Sequence, residues 1–262
     1  MLKRFTRRLL NHPKVEGLII DLFHLISYNS PRSWRENTWL GYKIHQSPMD
    51  LYLYQELLFL LKPSFVLQTG IANGGSLLFF ANMLDIIGAS ADATVIGIDI
   101  ELTHDCQSLR HPRIRLFKGS STDPEVVSRI RSILPAPSGF VVLDSDHSKQ
   151  HVLTELAIWS EFVSAGSYIV VEDTNINGHP VFRSFGPGPF EAVDEFLHLQ
   201  GDFERDDDLW RRNKYSHHQG GWLRRVYQSG KETSSSSAFA APLEAARLVD
   251  RETERLSQVP RR

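Results

Sequence analysis

Apolar residues in this chain fall into short unbroken runs separated by stretches with helical spacing. The runs are Ser64 to Gln68, Thr94 to Ile100, Ile114 to Phe117, Gly139 to Leu143 and Ser167 to Val171. None shows the apolar–polar alternation of a half-solvated strand, so each predicts a strand covered on both faces. Between them, Ser76 to Ile87, Pro124 to Ile133 and Gln150 to Phe162 have the length and pattern of helices, the second capped by Thr122 or Asp123. This alternation predicts an α/β, Rossmann-like fold with a mostly parallel central sheet and helices on both faces. Crossovers in such a sheet are right-handed, and ligands sit at the carboxyl ends of the strands.

Composition divides the chain into three zones. Residues 1–50 form an N-terminal helical and aromatic segment, a lid or an interface, with Trp34, Trp39 and Tyr42 near Gly41. Residues 51–228 carry the strand–helix alternation. Residues 229–262 read as a flexible tail around the run Ser234 to Ser237, with a charged helix from Pro242 to Leu256 outside the core.

Of the 262 residues, 41% are hydrophobic and 23% charged, which excludes a wholly disordered chain. Lysine and arginine total 29 against 31 acids, a net charge of -2, which argues against nucleic acid as the main partner. Cys106 is the only cysteine. That excludes an intrachain disulfide, a cysteine-rich zinc site and an iron–sulfur cluster within the chain.

The best candidate for a membrane span, Val15 to Ile26, is interrupted by Glu16, Asp21 and His24 and is too short to cross a bilayer. Lys3, Arg4, Arg7 and Arg8 precede it in the manner of a signal peptide. The internal acids and the lack of a small-residue cleavage site oppose that reading, so a cytoplasmic protein is expected. Met1 to Ser30 reads as one or two amphipathic helices on the core or a partner, with attachment to a membrane surface as the alternative.

The chemistry clusters at the predicted strand ends. After the first strand, Gly70, Gly74 and Gly75 allow a sharp turn and a close backbone approach, and Ser76 can cap the next helix. The spacing is neither the dinucleotide fingerprint nor a P-loop, and it fits a nucleoside ligand without a pyrophosphate. Asp99 closes the second strand, where a carboxylate can accept from both ribose hydroxyls. Gly119, Ser120 and Ser121 border the same site, near an adenine. Asp144 and Asp146 leave the fourth strand, and Glu172 and Asp173 leave the fifth. Such carboxylates repel unless a cation joins them, and oxygen ligands suit Mg²⁺, Ca²⁺ or Mn²⁺. His147 follows as a general base, and His179 on the loop after the fifth strand is a second candidate, assigned to the substrate. No role is assigned to His12, His24, His45, His104, His111, His198 or His217, and His151 and His218 stay undecided.

The strings Val141-Val142-Leu143-Asp144-Ser145-Asp146-His147-Ser148 and Val170-Val171-Glu172-Asp173-Thr174-Asn175-Ile176-Asn177-Gly178-His179-Pro180 resemble the cephalosporin hydroxylase / rhamnosyl O-methyltransferase family. Trp39-Leu40-Gly41 followed by Pro48, Asp50, Tyr54 and Gln55, and the closing Gly220 to Arg225, resemble it too. The resemblance implies a class I methyltransferase fold, S-adenosylmethionine and Mg²⁺ as cofactors, and assembly as a homo-oligomer. It implies metal ligands among Asp144, Asp146, Glu172 and Asp173, with the first acid off the strand favoured, and His147 as base. Gln68, Gly70, Gly74, Gly75, Ser76, Asp99, Ser120 and Asp144 fall to the cofactor. Gln68 departs from the glutamate that many members carry there. The acceptor implied is a sugar hydroxyl on a glycolipid, polysaccharide or glycosylated natural product. Two other readings are an accessory part in an oxidative, hydroxylase-type tailoring system and a binding subunit that keeps the fold without activity. A nicotinamide dehydrogenase fails for want of G-x-G-x-x-G.

Overall fold

Apolar side chains on both faces of a strand need cover on both, and a helix–sheet–helix sandwich supplies it. The computed structural model describes residues 12–134 and 138–227; the predicted tail from residue 229 lies outside the described residues. In chain order it has α1 (Pro13–Asn29), β1 (Thr38–Trp39), β2 (Tyr42–Lys43), α2 (Pro48–Leu61), β3 (Phe65–Thr69), α3 (Gly75–Ile86), β4 (Thr94–Asp99) and α4 (His104–Ser108). There follow β5 (Ile114–Lys118), α5 (Pro124–Arg131), β6 (Gly139–Leu143), α6 (Lys149–Trp159), β7 (Tyr168–Val171), α7 (Pro189–Leu199), β8 (Phe203–Arg205), α8 (Asp207–Arg211) and β9 (Trp222–Arg225).

Seven strands form one sheet in the order β5-β4-β3-β6-β7-β9-β8. The five predicted strands, β3 to β7, run parallel, and β9 pairs antiparallel with β7 and with β8. Alternate residues along each strand enter different layers. Val66, Val95, Phe140, Val142 and Val170 join one apolar cluster with Tyr54 and Phe80. Phe65, Leu67, Ile96, Val141, Leu143 and Ile169 join the other with Leu156 and Trp159. Both faces are therefore apolar, which is why the sequence shows runs without alternation.

The predicted strands and helices lie within a few residues of their observed bounds. Asp123 is the cap of α5, its Oδ1 accepting from Glu125 N at 2.8 Å. The final turn of the predicted 150–162 helix is a separate 3₁₀ turn, Ser160–Phe162. The order in which strands are added reverses between β3 and β6: β4 and β5 follow outward on one side, β7 on the other. Such a switch point opens a crevice outside the strand ends.

The segment before α2 folds over this crevice. Trp39 Nε1 donates to Asn82 Oδ1 on α3 at 2.8 Å, and its ring stands edge-on to Phe79 at 5.0 Å. Gly75 makes that closure possible, because a Cβ there would lie 2.3 Å from the Lys43 carbonyl oxygen.

Candidate active site

A cavity of about 610 Å³ lies at the carboxyl ends of β3, β4, β6 and β7. Gln68, Gly70, Ser76, Asp99 and Ser120 line one part, and Asp144, Asp146, His147, Glu172 and Asp173 another. Gly74 and Gly75 do not line it. Gly74 takes φ +79° at the N-cap of α3, beside Leu109 and Cys106, so both shape the turn from behind.

Gly70 is the closest fit. Its φ is +68°, and a Cβ would lie 1.9 Å from the Asp144 carbonyl oxygen, driving the end of β3 off the end of β6. Left-handed strain and overpacking each cost on the order of 1–3 kcal/mol. Gly70→Ala is therefore expected to lower the melting temperature by several degrees and to abolish cofactor binding, read by calorimetry.

Asp99 shapes the same turn: its Oδ2 accepts from Ile71 N at 2.9 Å and Ala72 N at 3.2 Å. Gln68 Nε2 donates to the Gly70 carbonyl at 2.9 Å, while its buried Oε1 has no hydrogen-bond partner among the described residues. An orphan acceptor in the cavity wall invites a donor from a ligand. Ser120 Oγ lies 3.0 Å from Thr122 Oγ1.

Among the described residues, ligand-type atoms of Asp144, His147 and Asp173 lie within 4.8 Å of one another. His147 Nε2 is 3.4 Å from Asp173 Oδ2. Asp173 takes φ +52°, a conformation that non-glycine residues adopt rarely and that gathers at functional sites. Its N–H donates to His218 Nδ1 at 3.0 Å. Glu172 is buried; Tyr54 donates to its Oε1 at 2.7 Å, Gln46 Nε2 donates to its Oε2, and it shares a hydrogen bond with Asp144. Burial, then the adjoining Glu172 and Asp173 charges, pushes the Asp144 carboxyl well above the ordinary range. Burial likewise raises Glu172. Asp146 behaves differently. Its Oδ1 accepts from Ser148 N at 2.7 Å at the start of α6, and hydrogen bonding to Ser148 keeps it below the ordinary range. His179 lies outside the cavity wall, with Nε2 2.9 Å from Glu191 Oε1 and its ring stacked on Phe190.

Three histidines given no role by the sequence belong to this region. His45 and His217 line the cavity, and His24 is buried behind it. His217 N donates to Asp50 Oδ2 at 2.9 Å, and His218 Nε2 sits 3.7 Å from both Asp50 and Glu172. The strands of the sheet give no hint of this wall, because it comes from α1, from the segment before α2 and from the loop before β9. The adjacent pair His217-His218 is a sequence feature of this wall, but it carried no role in the sequence reading.

Burial raises Asp50 to about 7. Asp50, Asp144 and Glu172 are thus all raised in the folded state. The folded chain binds more protons than the unfolded one, and stability is lost as pH rises through the folded values. His24, His217 and His218 are depressed by burial and act oppositely, but only below the ordinary imidazole value of 6.5. In EDTA, stability is therefore expected to fall between about pH 6.5 and 8, by up to about 1.4 kcal/mol per group per pH unit, and the melting temperature with it. Mg²⁺ should flatten that slope, and calorimetry across pH reads both curves.

The sheet order, the glycine turn, the carboxylate after the second parallel strand and the acid–histidine cluster define an α/β enzyme with its site at the strand ends, and the relatives make the class an S-adenosylmethionine-dependent O-methyltransferase. A family model, Rhamnosyl O-methyltransferase/CmcI, matches residues 31–226, and the chain belongs to that family. It is 40% identical over 176 residues to a rhamnosyl O-methyltransferase of Mycobacterium leprae, covering 66% of this chain and 76% of that protein. It is 38% identical over 186 residues to a rhamnosyl O-methyltransferase of Mycobacterium tuberculosis, covering 70% and 74%. Among solved structures, an apo structure of CmcI is 26% identical with a TM-score of 0.55, covering 74% of this chain and 77% of that one. A structure of CmcI with Mg and SAM is 24% identical with a TM-score of 0.56, covering 77% and 84%, a likeness of fold.

Proposed function

We propose that this chain moves the methyl group of S-adenosylmethionine to a sugar hydroxyl, with rhamnose in a glycolipid, polysaccharide or glycosylated natural product as the acceptor class. Mg²⁺ would be held by Asp144, Glu172 and Asp173. The carrying observation is the meeting of Asp144, His147 and Asp173 within 4.8 Å beside the Gln68–Gly70–Asp99 turn. The relatives named as rhamnosyl O-methyltransferases suggest the acceptor class.

The residues fit both groups. Asp144 and Glu172 are buried against each other with raised pKa values, the signature of carboxylates short of a countercharge. All three proposed ligands offer oxygen, as a hard cation requires. Gln68 Oε1 stands ready to accept from the ammonium of the cofactor, and Asp99 from its ribose. Bound Mg²⁺ supplies positive charge that makes a neighbouring hydroxyl more acidic, and bound S-adenosylmethionine supplies the methyl group.

His147 Nε2 takes the proton of the acceptor hydroxyl. Asp173, 3.4 Å away, stabilises the imidazolium that results. Trp34, Ile44 and His45 line the same cavity and would shield a bound acceptor from water. The products are a methyl ether and S-adenosylhomocysteine, and the proton leaves through His147.

The test is calorimetric titration of S-adenosylmethionine with Mg²⁺ and with EDTA, followed by labelled methyl transfer to a panel of rhamnosyl acceptors. Cofactor binding is expected in both conditions and transfer only with Mg²⁺. Full turnover in excess EDTA removes the metal from this reading, and failure to bind the cofactor removes the reading itself.

A further inference from the structure

The helix α1 lies outside the residues matched by the family model, and it is poorly covered. His24 is its one buried residue. Leu18, Ile19, Leu22, Leu25 and Ile26 are exposed, from 36% at Leu25 to 69% at Ile26. At about 100° per residue these five occupy an arc of about 120°, a continuous apolar stripe. A stripe of that kind on a soluble chain marks a surface with a partner.

The opposite side of α1 grips the cavity wall. Gln219 Nε2 donates to His24 Nε2 at 3.0 Å, the His24 ring lies 4.2 Å from Tyr215, and Lys214 pairs with Glu16 at 2.7 Å. Arg35 donates to the Tyr28 carbonyl at 2.8 Å. The segments so gripped carry Trp34, His217 and His218 into the cavity. The helix thus stands between the cavity and whatever covers its stripe.

The charge of the adjoining sequence selects the occupant. The first thirteen residues include Lys3, Arg4, Arg7 and Arg8 and no acid. A second copy docked through a two-fold axis on this helix would bring two such segments together, like charge against like. An anionic bilayer would neutralise them instead, and basic residues beside an apolar helix face are the signature of interfacial attachment.

We infer that α1 is a membrane-surface helix that lays its Leu18–Ile26 stripe into an anionic lipid bilayer. The cavity is then held about one helix diameter, roughly 10 Å, from the headgroups. On the glycolipid reading above, this presents the cavity to sugars attached to lipids in the membrane, although the attachment itself does not depend on that reading.

The test uses the full chain with vesicles of phosphatidylcholine alone and with about 30% phosphatidylglycerol, a fraction that gives a strongly negative surface. Co-sedimentation with the anionic vesicles is expected, weaker by about tenfold on the neutral ones or in high salt. Leu22→Glu/Ile26→Glu should lose about tenfold or more of that binding. Cofactor affinity, measured by calorimetry, should be unchanged, which shows that the variant is folded. A second variant, with Lys3, Arg4, Arg7 and Arg8 changed to Gln, should lose the preference for anionic lipid. No binding to anionic vesicles, or undiminished binding by the Leu22→Glu/Ile26→Glu variant, overturns the inference. So does a wild-type oligomer that this variant dissociates in sedimentation velocity without lipid, which would assign the stripe to a second copy. Vesicle binding by a chain that fails to bind S-adenosylmethionine would sink the enzymatic reading and leave the helix inference standing.

Discussion

Asp144→Asn is expected to lower methyl transfer by about three orders of magnitude or more while leaving metal-free stability unchanged or raised. The two effects have one cause. Asp144 is buried beside Glu172 and Asp173, and the carboxyl is pushed well above its ordinary range by that burial and those charges. An amide of the same shape removes the repulsion and can still share a hydrogen bond with Glu172. It also removes a charged oxygen from the proposed cation site, and such sites contribute several kcal/mol to the barrier, at about 1.4 kcal/mol per factor of ten. Cofactor affinity should stay within a few-fold of wild type, since Gln68, Gly70 and Asp99 hold that part of the cavity. Asp146→Asn is the matched control. Its carboxylate is committed to Ser148 N at the start of α6, so only a small loss of stability is expected, about 1 kcal/mol. Methyl-transfer rates, cofactor titration and melting curves on the two variants decide the matter. Activity within tenfold of wild type in Asp144→Asn, or a larger loss in Asp146→Asn, would reverse the assignment of the fourth-strand acids.

The pair Asp144 and Asp146 also shows where sequence reading stops. Both follow the same strand, both are acids, and either can serve a metal. What separates them is the direction the backbone takes after Leu143. Asp144 N donates to the Thr69 carbonyl at 3.0 Å and stays within the sheet frame, whereas Asp146 has already begun the turn into α6. The five parallel strands were legible because burial on both faces writes continuous apolar runs into the sequence, and Gly139–Leu143 has the bounds expected from its run. α2 was not legible. Its Leu-Tyr-Leu-Tyr-Gln-Glu-Leu-Leu-Phe-Leu-Leu is apolar almost all round, which hides a period of 3.6, although Ser47, accepting from Met49 N at 3.2 Å, and Pro48 mark its start. β8 and α8 were missed because each is too short to show a period.

The glycine turn divides in the same way. Gly70, Gly74 and Gly75 look alike as a ligand-binding loop, yet only Gly70 borders the cavity; the other two let Leu109 and the Lys43 backbone come close. The wall made by Trp34, His45, His217 and His218 was beyond reach for a different reason. Its residues are far apart in sequence, and they meet only because α1 and the loop before β9 fold onto one another. The buried His24 makes that point directly: in sequence it interrupts an apolar stretch, and in the fold it is the residue that ties α1 to Gln219.

His147→Ala is expected to lower kcat by about 10² to 10⁴, the ordinary worth of a positioned general base, with the dissociation constant for S-adenosylmethionine unchanged. His147 lies in the group with Asp144 and Asp173, and its Nε2 is 3.4 Å from the Asp173 carboxylate. The imidazole therefore faces the cavity beside the acid cluster, placed to take a proton from a hydroxyl bound there. His218 is the rival and is not so equipped. Its Nδ1 accepts from Asp173 N, burial pushes its pKa well below the ordinary value, and it therefore stays neutral between Asp50 and Glu172. Removing His218 should disturb the backbone of Asp173 and raise the metal concentration needed for activity. Removing His147 should leave metal dependence alone and change the pH profile. Residual turnover of His147→Ala should climb with pH more steeply than that of the wild type, because hydroxide replaces the missing base. Rates measured over pH at saturating cofactor and Mg²⁺ read this difference. A variant that keeps the wild-type kcat and loses only acceptor KM would make His147 a positioning residue and pass the proton to another group.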